Sequence, residues 1–260
     1  MVSHLLNTIR NAVGITGNVI ALFLFLSPVP TFIRIWKKGS VEQFSPIPYL
    51  ATLINCMLWV IYGLPMVHPN STLVVTINGA GTAIEVVFLT LFLVFCHDKK
   101  KRLVVLLIVV VELVIAAAIA TVILTQVYTT QRRSMIVGII AILFNIMMYA
   151  APLSVMKLVI TTKSVEYMPF SLSLASFLNG VAWTTYAFLP FDPFIAVPNG
   201  VGTMFSLAQL LLYGTYYKST KRIIAARKES KMESEMHLSL SEVAVANGGV
   251  VPKKTAGAAP

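Results

Sequence analysis

Charge is scarce in this chain. Only 12% of its 260 residues are Asp, Glu, Lys or Arg, against roughly 25% in a soluble domain, while 57% are apolar against roughly 45 to 50%. That balance argues against a single water-soluble core. Cysteine is nearly absent too: Cys56 and Cys96 lie inside or at the end of apolar runs without Cys-x-x-Cys spacing, so neither a disulfide framework nor a thiolate metal site is indicated. His4, His68, His97 and His237 all fall outside the interiors of the apolar runs. No paired carboxylates, His cluster or activated Ser or Cys arrangement stands out, so the sequence offers neither an enzymatic site nor a place for a metal or cofactor. The net charge of +10 could suggest a nucleic-acid partner. Its basic residues, however, stand at the ends of apolar runs rather than on a face interleaved with aromatics, which sets nucleic acid aside.

What the chain does have is long apolar runs separated by short polar stretches such as Lys37-Lys38 and Lys99-Lys100-Lys101-Arg102, the pattern of a polypeptide that crosses a bilayer repeatedly. At about 20 residues per crossing, spans fall at roughly 8 to 33, 46 to 67, 72 to 96, 103 to 125, 134 to 158, 168 to 190 and 194 to 217. The first run outlasts a signal peptide and follows a weakly charged start, so it reads as a retained span. The loops after spans 1, 3 and 5 and the C-terminal tail hold Arg34, Lys37, Lys38, Lys99, Lys100, Lys101, Arg102, Lys163, Lys218, Lys221, Arg222, Arg227 and Lys228; the opposite side holds Arg10, Arg132 and Arg133. The positive-inside rule then places the N-terminus outside and the C-terminus in the cytosol. Beyond 218 the Lys, Glu and Ser content, followed by Ala-Asn-Gly-Gly, predicts a tail, 218–260, without enough apolar area to fold.

The chain repeats itself. A shift of 124 superposes Gly14 on Gly138, Pro28 on Pro152, Ser40-Val41-Glu42 on Ser164-Val165-Glu166, Asn55 on Asn179, Trp59 on Trp183 and Tyr62 on Tyr186. A shift of 121 brings Asn78-Gly79 and Gly81-Thr82 onto Asn199-Gly200 and Gly202-Thr203. Three crossings reverse the chain, so the unpaired fourth span restores direction and makes the repeats parallel. The expected fold is an all-α integral membrane protein of seven spans arranged 3+1+3, with units at 1–98, 99–130 (the linker) and 131–217. Parallel repeats about an axis along the membrane normal, with a site between them near the midplane, are a known transporter plan, of which the SWEET family is an example.

Six segments carry a closer resemblance: ALFLFLSP at 21–28, SVEQFSPIPY at 40–49, TING at 76–79, YAAPLS at 149–154, KSVEYMPF at 163–170 and VPNG at 197–200. They resemble the SWEET, or saliva-type, sugar transporters over about residues 8 to 217, the plant members most of all. The resemblance implies bidirectional, ion-independent facilitated diffusion of mono- or disaccharides by alternating access, in homo-oligomers in a membrane taken here as the plasma membrane.

A sugar both donates and accepts hydrogen bonds, and a side-chain amide does both while neutral. Asn78 and Asn199, equivalent mid-helix positions, fit that need; the competing reading is an Asn bonded between helices. Trp59 and Trp183 lie too deep in their spans for an interfacial belt and could cover the C–H face of a pyranose. Asn55 and Asn179 stand four residues earlier on the same faces, as further lining or as simple helix contacts. By resemblance Ala21 and Leu24, with Asn145 and Met148, also line the site, and the bulk of Leu24 and Met148 favours hexoses such as glucose and fructose over sucrose. The family's prolines map to Pro28, Pro48, Pro152 and Pro169, implied hinges of a cytosolic gate, although Pro48 aligns with Leu172 and Pro169 with Ser45. An implied extracellular gate falls on Tyr62 and Asp192, with Tyr186 beside them. Glu85 shares the Asn78 helical face and would serve proton coupling or a structural bond; Glu112 on the linker reads as structural or near a subunit contact. A seven-helix receptor is the rival reading, disfavoured by the direct repeat. A coupled amino-acid exporter is another, and it lacks its Pro-Gln pair where Ile47-Pro48 stands.

Overall fold

The computed structural model describes residues 2–246, with side chains described from His4 to Glu242. Nine helices are seen among them: α1 (Val2–Leu26), α2 (Val29–Lys38), α3 (Ile47–Gly63), α4 (Thr72–Phe95), α5 (Lys99–Gln126), α6 (Thr130–Met148), α7 (Ala150–Thr162), α8 (Phe170–Ala187) and α9 (Pro193–Ala246). The β-structure among the described residues is a single isolated bridge, Phe188 to Phe191. Two pairs, α1–α2 and α6–α7, are single crossings broken in the middle, which leaves seven crossings in the 3+1+3 plan. The molecule is an integral membrane protein. Five crossings are long and apolar enough to span a bilayer by those criteria alone. The other two are α3, only 17 residues long, and α8, whose Ser171, Ser173, Ser176, Asn179, Thr184 and Thr185 dilute its hydropathy. They are the second helices of the two repeats.

Packing follows the repeat. Within the units α3 lies on α4 and α8 on α9; between them α1 lies on α8 and, reciprocally, α6 on α3. That exchange is what a pseudo-twofold axis requires. Glycines permit it, since a Cβ on Gly14 would fall 2.6 Å from Leu73 Cδ1 and 2.9 Å from Tyr186, and one on Gly138 would fall 2.5 Å from the Phe194 ring. The linker α5 packs chiefly on α3, α4 and α6. Its buried residues Val105, Glu112, Ala116 and Ile123 recur at helical spacing on one stripe. Leu103, Val104, Leu107, Val110, Val111 and Val114 point away, as a lipid-facing surface should.

The breaks fall at prolines. A proline deprives the preceding turn of a donor, and the chain leaves helical geometry at Ser27-Pro28 and at Tyr149, three residues before Pro152. Pro48 and Pro169 do not bend a helix: Pro48 lies in the first turn of α3, and Pro169 is the N-cap of α8. Both α2 and α7 end on a left-handed residue, Gly39 (φ 65°) and its repeat counterpart Lys163 (φ 55°). Glycine adopts that conformation freely and lysine does not, but Lys163 gains a bond from its Nζ to the Tyr216 hydroxyl at 3.2 Å.

One expectation needs correction. Residues 218–246, read as unable to fold, continue α9 as helix, while 247–260 lie outside the described residues. The premise about apolar area holds, since 224–242 is almost wholly exposed. The conclusion failed because a helix already formed in the membrane extends without a nucleation cost. Local bonds assist: Thr220 Oγ1 accepts from Val165 N at 2.8 Å, Arg227 pairs with Glu166 at 3.0 Å and Lys231 with Glu235 at 3.7 Å.

Candidate functional site

Midway along the bundle a cavity of about 160 Å³ opens between the repeats. Its wall is built twice over from one sequence pattern. Asn55 and Trp59 on α3 face it, as do Asn179 and Trp183 on α8; Asn78 on α4 and Asn199 on α9 complete the two halves. Asn145 and Ala21, one from each broken helix, lie on the same wall. Eight of the residues expected at a binding site therefore come together. Leu24 and Met148 do not line this cavity. They line a second one of about 410 Å³, displaced toward the end of the bundle that carries Lys163 and Arg227, and the two cavities share Asn145, Asn179 and Asn199. Sequence reasoning missed Phe25 in the first cavity and Tyr149, Ser176, Ser206 and Gln209 in the second. Gln209 was discoverable, being an amide within an apolar run.

Hydrogen bonding repeats as faithfully. Asn78 Nδ2 donates to Val74 O at 2.9 Å and Asn199 Nδ2 to Ile195 O at 2.9 Å, each four residues back on its own helix. One N–H and the carbonyl oxygen of each amide stay available. Asn55 Oδ1 and Asn179 Oδ1 are buried without a hydrogen-bond partner. A buried orphan acceptor costs about 1–3 kcal/mol, and the two side chains that carry these orphans both line the cavity. The tryptophans are almost equally buried, and each stands edge-on to the tyrosine three residues along: Trp59 to Tyr62 at 5.3 Å and Trp183 to Tyr186 at 5.2 Å between centroids. Neutral donors and acceptors beside two indole faces suit an uncharged polyhydroxylated ligand.

Toward the Arg10 end the passage is shut. The Tyr62 hydroxyl lies 2.9 Å from both carboxylate oxygens of Asp192, whose Oδ1 also accepts from Phe194 N and Ile195 N at 3.0 and 3.3 Å and so caps α9. His68, in the α3–α4 loop, stacks on the Tyr62 ring at 4.7 Å and brings Nε2 within 3.3 Å of Asp192 Oδ2. Its Nδ1 lies 3.0 Å from Ser134 Oγ, and that hydroxyl donates to Val67 O at 2.6 Å. Tyr186 finds other partners: the Arg10 guanidinium lies 4.1 Å over its ring, and both side chains donate to Asn70 O. Arg10, His68 and Ser134 are members of this closure that the sequence reading did not single out. Toward the other end, Pro152 lines the second cavity, and Tyr149, at the α6–α7 break, ties that crossing to α9 by donating to Pro198 O.

Glu85 and Glu112 are buried and each leaves Oε2 unpaired, yet Glu85 lines neither cavity. Cys56 and Cys96 are free and buried.

Comparison with known proteins agrees with this architecture. A family described as sugar efflux transporter for intercellular exchange matches residues 11–100 and 135–221, two blocks that leave out most of α5. A bidirectional sugar transporter, SWEET7 of Arabidopsis thaliana, is 62% identical over 228 residues, covering 88% of each chain. SWEET4 of Oryza sativa subsp. japonica is 57% identical over 253 residues, covering 97% of this chain and 96% of its own. A solved structure of a eukaryotic SWEET transporter superposes with a TM-score of 0.80 at 38% identity, over 82% of this chain and 99% of that one. A repeat of three helices joined by a lone linker, an amide-lined chamber between the repeats, and these relatives lead to one assignment: the chain belongs to the SWEET family of sugar transporters, a family of carriers and not of enzymes.

Proposed function

We propose that the chain is a passive uniporter that carries hexoses in both directions through the asparagine-lined cavity by alternating access. The observation that carries this reading is a neutral cavity lined by Asn55, Asn78, Asn179 and Asn199, in which the Asn55 and Asn179 side chains each leave Oδ1 without a hydrogen-bond partner. Sugar hydroxyls satisfy them, and the faces of Trp59 and Trp183 cover the C–H side of the ring. The Arg10 end is taken as extracellular and the Lys163 end as cytosolic, by the positive-inside rule. Tyr62, Asp192 and Tyr186 then form the outer gate, shut here. Pro28 and Pro152 bend the crossings that rock, and Pro48 and Pro169 start the helices at the inner gate. The plasma membrane is the assigned location, and homo-oligomers the assigned assembly, with Glu112 near a subunit contact.

Size supports hexose over sucrose: the central cavity, at about 160 Å³, suits a single sugar ring, and Leu24 and Met148 crowd the space next to it. Glu85 stands apart from both cavities, which favours ion-independent flux over the coupled alternative. The test is reconstitution in liposomes with labelled glucose, fructose and sucrose. Hexose flux should be equal with and without a proton gradient and exceed sucrose flux, and Met148→Val should raise sucrose relative to glucose. Gradient-dependent uptake, or an unchanged sugar ratio in the variant, would count against the corresponding part.

A further inference from the structure

The pseudo-twofold symmetry that holds around the asparagines breaks down two to three turns beyond them, toward the Lys163 end. In the first repeat that region is apolar rather than polar at the Phe88 position. Phe88 is buried and lies flat on Phe32, with ring centroids 4.3 Å apart and planes 5° apart; Glu85 is buried one turn earlier. At the repeat shift of 121, Phe88 corresponds to Gln209 and Glu85 to Ser206. In the second repeat those polar side chains line the cavity of about 410 Å³, together with Ser176 of α8. The counterpart of Ser176 is Thr52, half-buried and bonded back to Pro48 O at 2.8 Å.

We propose that Ser176, Ser206 and Gln209 form a second sugar subsite, an inner station on the second repeat alone, which holds a neutral hexose between the central asparagines and the cytosol. It rests on the uniporter reading above. Gln209 supplies both a donor and an acceptor. Ser206 spends its proton on Gly202 O at 2.8 Å and keeps its lone pairs for a ligand. Tyr149 and Phe205, edge to face at 5.2 Å, give the same wall an aromatic surface, as Trp59 and Trp183 do in the centre. Asn145, Asn179 and Asn199 face both cavities, so a sugar can exchange one set of hydrogen bonds for the other without passing through an unbonded state.

Such a station has a kinetic signature. Sugar held there stabilises the inward-facing complex but must step back to the centre before it can be carried outward. Removing the station therefore weakens binding from the cytosolic side and speeds outward transport by the same factor. Equilibrium demands that compensation, since without an energy source the ratio of maximal rate to half-saturation is equal in both directions.

The experiment uses the full chain in liposomes with one orientation silenced, labelled glucose as the probe, and the variants Gln209→Leu and Ser176→Ala. Cytosolic-side half-saturation and maximal efflux should both rise, by about 3- to 10-fold for the loss of one neutral hydrogen bond, while influx constants stay within about twofold. Thr52→Ala, the first-repeat counterpart, should change neither. Unchanged efflux constants in both variants, or a fall in maximal rate in both directions, would overturn the subsite. Absence of glucose flux in the wild type would instead overturn the uniporter reading itself.

Discussion

Asn55 and Asn179 show how one residue type serves two needs. Each leaves an amide oxygen buried and unpaired, which destabilises the empty protein and, in the proposed uniporter, becomes a binding contact when a hydroxyl arrives. Asn78 and Asn199 differ, because each spends an N–H on its own helix and is thereby fixed in orientation before any ligand binds. At the Arg10 end His68 carries a pH-dependent cost. Burial pushes its imidazole below the ordinary value and Arg10 adds to that, while Asp192 pulls the other way. The unfolded chain therefore takes up a proton that the folded chain resists. Stability is full above the ordinary imidazole value of about 6.5 and declines as pH falls through it. Thermal unfolding of the purified protein should occur at a lower temperature at about pH 5.5 than at about pH 7.5, with a smaller difference in His68→Gln. Equal differences in both proteins would show that His68 is not the group responsible.

Among the helices, close approach is bought with glycine. A methyl group at Gly138 would meet the Phe194 ring at 2.5 Å, whereas one at Gly79 would meet nothing within 4 Å. Gly138→Ala should therefore lower stability by about 1–3 kcal/mol, while Gly79→Ala should be neutral or slightly stabilising because alanine favours helix by up to about 1 kcal/mol. Thermal melts of the two variants in one detergent check the contrast, and similar losses in both would contradict it. The crossings, the linker and the Pro28 and Pro152 breaks were legible in the sequence because hydropathy, repeat spacing and proline each act locally. The length of α9 was not, since a composition that cannot fold alone can still prolong a helix anchored in the membrane. Leu24 and Met148 were placed by resemblance in the central cavity and belong to its neighbour. Arg10 and Ser134 escaped notice because their partners, Asn70 O and Val67 O, are backbone atoms that no side-chain pattern announces.

At the scale of the whole molecule, two copies of one unit meet so that a chamber between them is polar while the outside, above all α5, is apolar enough for lipid. Contacts among Tyr62, Asp192, His68 and Arg10 draw the Arg10 end together, while a second cavity is displaced toward the Lys163 end; in the proposed alternating-access cycle this is the state closed at the Arg10 end. The sequence disclosed this plan through its internal repeat. The departures from the repeat, Gln209 against Phe88 and Ser206 against Glu85, were visible there too, but became meaningful only once packing showed Phe88 stacked on Phe32 while Ser206 and Gln209 line the second cavity. The most direct measurement is glucose flux through liposomes containing the Asn78→Ala, Asn199→Ala double variant, with folding and insertion verified by its thermal melt and elution profile. The account predicts flux reduced to the level of protein-free vesicles; flux equal to that of the unaltered protein would contradict it.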